Sequence, residues 1–249
     1  MKGLNGEGGV KETQLGSLLR PVRAGNAFEE TVERLLQAVK LGVVPFGERL
    51  PSERDLAVHL GISRVTLREA IRSLQEAGYL DVRRGRYGGA FVVYRPPDPG
   101  GGDLAEAVNQ MGAGDLADAL TYRMAIECGA AQILATTTLD SAQRAMLLRR
   151  LSDVNEADPA DYRRLDTAFH LSIAELTGSP LLAAACADAR LRVTDLLNAI
   201  PVLGPNIAHA GAQHQAIVSA ILAGDPDGAS RAVAEHLEGT AALLRGFLA

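Results

Sequence analysis

Apolar residues recur at three- and four-residue intervals through most of this chain, and only one short region alternates instead. Over 27–41, Phe28, Val32, Leu35, Leu36 and Val39 form a helical stripe. Gly42 stops it, and Pro45, Phe46 and Gly47 turn the chain. Ser52 predicts an N-cap, with Asp55 three residues on for a box-like cap, and Leu56, Ala57 and Leu60 supply the inward face. Gly61 breaks that helix and Ser63 caps the next, where Leu67, Ile71 and Leu74 repeat at helical spacing until Gly78. The runs 79–83 and 90–94 read as strands around Arg84-Gly85-Arg86-Tyr87-Gly88-Gly89, a hairpin with a basic tip.

A linker follows, Arg95-Pro96-Pro97-Asp98-Pro99 and three glycines. Beyond Asp103 the pattern is helical throughout, with segments near 103–111, 115–137, 140–155, 160–177, 180–200, 206–223 and 226–247. Gly112, Gly178, Gly204 and Gly224-Asp225-Pro226 punctuate them. Short connections make neighbouring helices antiparallel, so this half is expected to be an antiparallel all-α helical bundle. The fold class is mainly α. The expected organisation is a flexible tail (1–24), a winged helix-turn-helix domain (25–94), a linker (95–102) and an all-helical domain (103–249).

Composition changes this picture in two places. Of 249 residues, 47% are hydrophobic, enough for cores, yet no apolar run approaches the ~18 residues of a membrane span. Residues 1–95 hold 15 Lys/Arg against 11 Asp/Glu, a net +4, whereas 96–249 hold 10 against 19, a net −9. A basic front and acidic back fit a polyanion-binding module joined to one that binds neither nucleic acid nor anionic membrane. Cys128 and Cys186, without an apolar secretory leader before them, point to reduced thiols in a cytoplasmic protein. Both lie in apolar helical patterns and read as buried small residues.

The arrangement of the front arginines carries more than their number. Arg64, Arg68 and Arg72 recur every fourth residue, opposite Leu67, Ile71 and Leu74. Such a stripe also reads as a solvated face paired with Glu69 and Glu76. Caps, turn, stripe and basic hairpin together match the layout that sets a helix in the DNA major groove with a clamp beside it. Arg64, Val65, Thr66 and Arg68 fall in the first turns, which approach base edges, and guanidinium suits bidentate contact with guanine. Arg54, early in the preceding helix, is placed for backbone phosphate. Arg84 and Arg86 sit at the hairpin tip, where Gly85 lets the backbone come close.

Residues 27–94 resemble the winged helix-turn-helix of the GntR family of bacterial transcription regulators. The carrying residues run from Gly47 through Ala57, then Leu60-Gly61-Ile62-Ser63-Arg64, Leu67 through Ile71, Leu74, Gly78 and Arg83-Arg84-Gly85. The resemblance implies that Arg54, Arg64, Thr66, Arg68, Arg84 and Gly85 contact operator DNA. Val65 stands where some relatives place a polar base-reading residue.

In the helical half, Asp166 and His170 lie one turn apart on one helix face. His214 opens the inward face of Ile217, Ala220 and Ile221, and His236 belongs to the stripe of Val233, Leu237 and Leu244. Three imidazoles and a carboxylate converging in a bundle suit a divalent transition metal with room for a further ligand. Each histidine alone reads more often as a satisfied core residue than as a ligand, and Asp166 alone could be a surface carboxylate. His59 and His209 read as non-ligands.

Residues 103–249 are similar to the all-helical effector domain (FCD) of the FadR-type subgroup. Arg123, Glu127, Asp166-x-x-Phe169-His170, His214-x-x-Ile217, Gly224-Asp225-Pro226 and His236-Leu237 carry this resemblance. Ser179 departs from it, standing where relatives often have Asn. The resemblance implies a metal (zinc, nickel or manganese) on Asp166, His170, His214 and His236, with a small organic-acid effector beside it. Arg123 is the expected carboxylate partner, or else a surface salt bridge to Glu127.

The expected function is a ligand-responsive transcription regulator, a repressor released by its effector. It would bind a two-fold operator in double-stranded DNA as a homodimer, since one helix-turn-helix reads too few bases to find a site among genomic competitors. The rival reading is a metal-dependent enzyme fused to a DNA-binding module, with Glu127 or Glu175 as general base. A third, an architectural protein without sequence preference, calls for a more basic chain.

Overall fold

The computed structural model describes residue 21 and residues 27–85, 88–95 and 115–248. The expected tail apart from Pro21, Arg86 at the hairpin tip, the linker after Arg95, the 103–111 helix and Gly112 lie outside the described residues. The chain divides into two compact units, Met1–Pro96 and Pro97–Ala249.

In the first unit, helix α1 (Ala27–Lys40) packs against α3 (Arg64–Glu76), with α2 (Glu53–Leu60) between them in sequence. The α1 face is turned from the expected stripe. Thr31, Leu35, Ala38 and Val39 are buried, whereas Phe28, Val32 and Leu36 are half-buried at its flank. Small Ala38 lets the partner approach, and the Thr31 hydroxyl is satisfied within the helix by donating to Ala27 O. Ser52 caps α2 by accepting from Asp55 N–H, but Asp55 Oδ2 then accepts from the Ser52 hydroxyl at 2.6 Å, not from its backbone. The cap is therefore half of the expected box.

Gly61 closes α2 at φ 65°, a left-handed conformation that costs side-chain-bearing residues about 1–2 kcal/mol. Two residues later Ser63 caps α3. Strands β1 (Leu80–Arg83) and β2 (Gly89–Val92) pair antiparallel, with Leu80 opposite Val92 and Arg83 opposite Gly89. Leu50 N–H donates to Ala90 O and Val92 N–H to Glu48 O, so 48–50 adds a short third edge. Buried Leu50, Leu80, Ala90 and Val92 fasten this wing to the helices.

The second unit comprises α4 (Asp115–Thr136), α5 (Ser141–Asn155), α6 (Pro159–Leu176), α7 (Pro180–Ala199), α8 (Gly204–Ala223) and α9 (Pro226–Leu248). Asp140 and Gln143 form a reciprocal capping box on α5, and Ser179 caps α7 by accepting from Leu182 N–H. The departure at Ser179 thus keeps the cap. Gly224 ends α8 at φ 70°. Cys186 is buried as expected, while Cys128 is only half-buried.

Helix α4 touches α6, α7, α8 and α9. Ala130, Ala131 and Ala135 are buried along it beside Leu134, and the small alanines bring helices close on several sides. Each fully buried Leu or Phe in this core, such as Leu134, Leu147 and Phe169, contributes about 1.5–3 kcal/mol. The central place of α4 has a polar consequence: Arg123 and Glu127, one turn apart, lie deep in the bundle. No helix among the described residues is long and apolar enough to cross a membrane.

Candidate functional site

The first candidate surface is the outward face of α3 with the wing. Arg54, Arg64, Arg68, Arg84 and Gly85 are exposed and Thr66 is half-buried. Arg72 pairs with Glu76 at 2.9 Å, as the solvated-face reading expects. Arg64 and Arg68 do not follow it to Glu69. Arg68 donates Nε–H to Glu53 Oε2 at 2.6 Å, and Arg64 Nη2 lies 3.8 Å from the same oxygen. A single acid on α2 therefore gathers both guanidiniums at the start of α3, and sequence reasoning did not single it out. Thr66 is also engaged, its Oγ1 2.9 Å from Ser63 Oγ.

On the wing, Arg83 bonds Asp81 at 2.8 Å and lies 4.3 Å from the Phe91 ring centroid, a cation–π contact, and Arg84 beside it is exposed. Gly85 has φ 104°, and a side chain at Gly88 would meet Arg83 O at 2.3 Å, so these two positions require glycine. Arg49, on the added edge, donates to Gly88 O and braces that tip.

The second site lies inside the bundle. One ligand atom from each of Asp166, His170, His214 and His236 falls within 4.8 Å of the others. Asp166 and His170 come from α6, His214 from α8 and His236 from α9. Asp166 Oδ1 is 3.2 Å from His214 Nε2, 3.7 Å from His170 Nε2 and 3.9 Å from His236 Nε2. The three rings are buried and Phe169 packs against two of them, its centroid 4.8 Å from that of His214.

The outer ring atoms fix the tautomers. His170 Nδ1 is 2.7 Å from Glu127 Oε2, and His236 Nδ1 is 3.1 Å from Gln213 Oε1. The Glu127 carboxylate only accepts, and Gln213 turns its carbonyl oxygen, an acceptor, to the ring, so both Nδ1 atoms carry the proton and both Nε2 atoms present lone pairs. Those two Nε2 atoms face each other at 3.2 Å. Burial lowers the pKa of both rings, with the charge of Arg190 adding to it for His170 and that of His170 for His236. His214 Nδ1 has no hydrogen-bond partner among the described residues, and Nε2 has only the Asp166 carboxylate beside it, at 3.2 Å. Neutral rings with lone pairs turned on one another and toward a carboxylate fit a shared cation. His/Asp donors of this kind can hold a metal ion.

Behind the cluster, Arg190 of α7 donates to Asp166 Oδ2 at 2.5 Å and to both Glu127 oxygens at 3.2 Å. Arg123 donates Nε–H to Glu127 Oε1 at 2.7 Å. This corrects the surface alternative for Arg123: the salt bridge forms, but at 2% exposure. Burial works to raise the Glu127 pKa, yet Arg123, Arg190 and His170 outweigh it and hold the carboxyl well below the usual range. For Asp166 burial is likewise overcome, by Arg190 and the histidines. Glu127 is thus a fixed anion committed to three partners, not an available general base. Arg190 escaped sequence reasoning, although Cys186, Arg190, Val193 and Leu197 share one inward stripe.

A cavity of about 220 Å³ opens beside the cluster, lined by Arg123, Arg163, Asp166, Gln213, His236 and Thr240 among others. His209 also borders it without joining the four-residue cluster.

Residues 28–92 match the sequence model of the bacterial regulatory proteins of the GntR family, and 118–239 match that of the FCD domain. An Escherichia coli K12 protein bearing the name of an L-lactate dehydrogenase operon regulatory protein is 30% identical over 227 residues, 88% of this chain and 86% of that protein. The transcriptional repressor NanR of Escherichia coli K12 is 28% identical over 239 residues, 92% of this chain and 88% of NanR. Among solved structures, Escherichia coli McbR/YncC superposes with a TM-score of 0.56 at 20% identity, over 90% of this chain and 99% of that one.

Proposed function

The chain belongs to the GntR family of bacterial regulatory proteins and is a DNA-binding transcription regulator, not an enzyme; from that premise we propose how its two units divide the work. The first unit reads an operator through Arg64, Thr66 and Arg68 of α3, with Arg54 on phosphate and Arg84 and Gly85 of the wing beside the groove. Exposure of these arginines on one helix face and at the wing supports this reading. Bases are reached by guanidinium forks, each good bidentate pair contributing about 1–3 kcal/mol of discrimination. A homodimer in the cytoplasm would set two such units on a two-fold site, doubling the sequence read.

Asp166, His170, His214 and His236 would hold a divalent transition metal, with zinc, nickel and manganese all compatible with three nitrogens and one oxygen. When bound, that ion would supply an electrophilic anchor for carboxylate oxygens. Arg123 would orient a small organic acid from the cavity wall: its Nε is committed to Glu127, while its buried Nη1 has no hydrogen-bond partner among the described residues. Effector binding there is coupled to operator release, the direction favoured by the naming of NanR as a repressor. A coupling of about 1–3 kcal/mol changes occupancy roughly five- to a hundredfold.

The observation that carries the reading is the facing pair of histidine lone pairs, with His214 Nε2 and the Asp166 carboxylate turned to the same point. Elemental analysis of protein purified without added metal, beside His214→Ala, tests it. The expected result is about one metal ion per chain in the parent and loss of it in the variant. Thermal shifts with small organic acids should then appear in the parent and vanish with chelator. A metal-free parent that still binds the acids would leave the histidines structural.

A further inference from the structure

The cavity beside the cluster has charge that its own walls do not balance. At about 220 Å³ it falls below the roughly 300–1,000 Å³ of pockets for drug-sized ligands, so its occupant is compact. Two guanidiniums line it, Arg123 from α4 and Arg163 from α6, and among the described residues Asp166 is the only carboxylate that does. Counted with the frame behind it, three guanidiniums (Arg123, Arg163 and Arg190) face two carboxylates (Asp166 and Glu127), an excess of one positive charge.

Both lining arginines keep donors in reserve. Arg123 is almost fully buried, with Nη1 lacking a hydrogen-bond partner among the described residues. Arg163 lies three residues before Asp166, half-buried, and its Nε is buried and equally without a partner. Burial lowers the pKa of Arg163; the Asp166 carboxylate opposes this without overcoming it, and the like charges of Arg123 and Arg190 add to it, so a further anion at this wall relieves a standing cost. A divalent cation on the histidines would add to the positive excess.

One carboxylate turned toward Arg123 and the cluster leaves Arg163 unanswered. We propose that Arg163 forms a second anion seat, so that the effector of this chain is a small dicarboxylate with one carboxylate toward Arg123 and the Asp166–histidine cluster and the other on Arg163. This rests on the cavity being the effector site. It deepens that reading by naming the ligand class and the residue that selects it.

The test is calorimetric titration of the full-length protein equilibrated with Zn2+, using matched acids: L-malate against L-lactate, and succinate against butyrate. Each pair differs by one carboxylate. The diacids should bind about ten- to a hundredfold tighter, the worth of one charge-assisted hydrogen-bonded pair. Arg163→Gln should erase that advantage while leaving the monoacids within about twofold, and Arg163→Lys should retain most of it.

Monoacids binding the parent as tightly as diacids would overturn the second seat while leaving the carboxylate effector intact. Equal weakening of both classes by Arg163→Gln would overturn it too, because Arg163 would then serve a shared carboxylate. The comparison within the parent stands even if the variant fails to fold. Silence from all four acids would remove the carboxylate reading and this proposal with it.

Discussion

The arginines of the two units are one side chain placed in two solvents. Arg64 and Arg68 on α3 keep 59% of their side-chain surface exposed and lean on one acid, Glu53. Arg123 and Arg190 are 2–3% exposed and are locked to Glu127 and Asp166. In water an ion pair is worth about 0–1 kcal/mol and gives way readily to a phosphate or a base. In the bundle the same pair cannot be broken without stranding a charge in low dielectric. The front arginines are therefore available to a partner, and the inner ones hold a frame that orients other groups.

Disrupting the inner frame should have the largest effect. Arg190→Met removes the guanidinium that joins Asp166 to Glu127, leaving the buried Glu127 and the largely buried Asp166 short of a partner. Stability should fall by about 3–5 kcal/mol, the usual consequence of removing one partner from a buried pair. Chemical denaturation measures it, and a loss under 1 kcal/mol would mean that this network is far more hydrated than its burial implies.

The corresponding change outside should leave folding alone. Arg68→Ala is expected to cost about 1–3 kcal/mol in operator discrimination, some ten- to a hundredfold in affinity. The denaturation midpoint should stay within about 0.5 kcal/mol of the parent, as for exposed positions generally. An unchanged footprint would remove Arg68 from the reading face. A milder perturbation of that face is Ser63→Ala, which deletes the α3 cap and should lower stability by roughly 1 kcal/mol. Operator affinity should fall with it, because the capped turn carries Arg64 and Thr66.

Legibility in the sequence followed the same division between surface and interior. Helix limits in the bundle were readable because glycine and proline mark them, as at Gly178, Ser179-Pro180 and Gly224. The four-residue cluster was readable because histidine on an apolar stripe is conspicuous. Arg190 was not, since an arginine in a long helix reads as a surface residue unless its stripe is traced through Cys186, Val193 and Leu197. The α1 face was misplaced for a related reason: Thr31 and Ala38 pack closely although neither ranks high in hydrophobicity. Glu53 went unremarked because its partners lie across the turn, 11 and 15 residues on, beyond any helical spacing rule.

Glu53 supplies the smallest and most discriminating change. Its carboxylate holds Arg68 at 2.6 Å and Arg64 at 3.8 Å, so it both orients the guanidiniums and competes with DNA for them. Glu53→Gln keeps the shape and removes the charge. As an exposed pair its loss should alter stability by less than about 1 kcal/mol. Affinity for random duplex should rise about two- to fivefold, because one negative charge leaves a face that meets phosphate. Preference for operator over random duplex should fall by a similar factor, because Arg68 loses the contact that aims it. Competition binding at fixed salt reads both quantities together. Weaker binding to both duplexes would show that Glu53 only braces the fold, and the contrast between lent and locked arginines would then fail at its outer end.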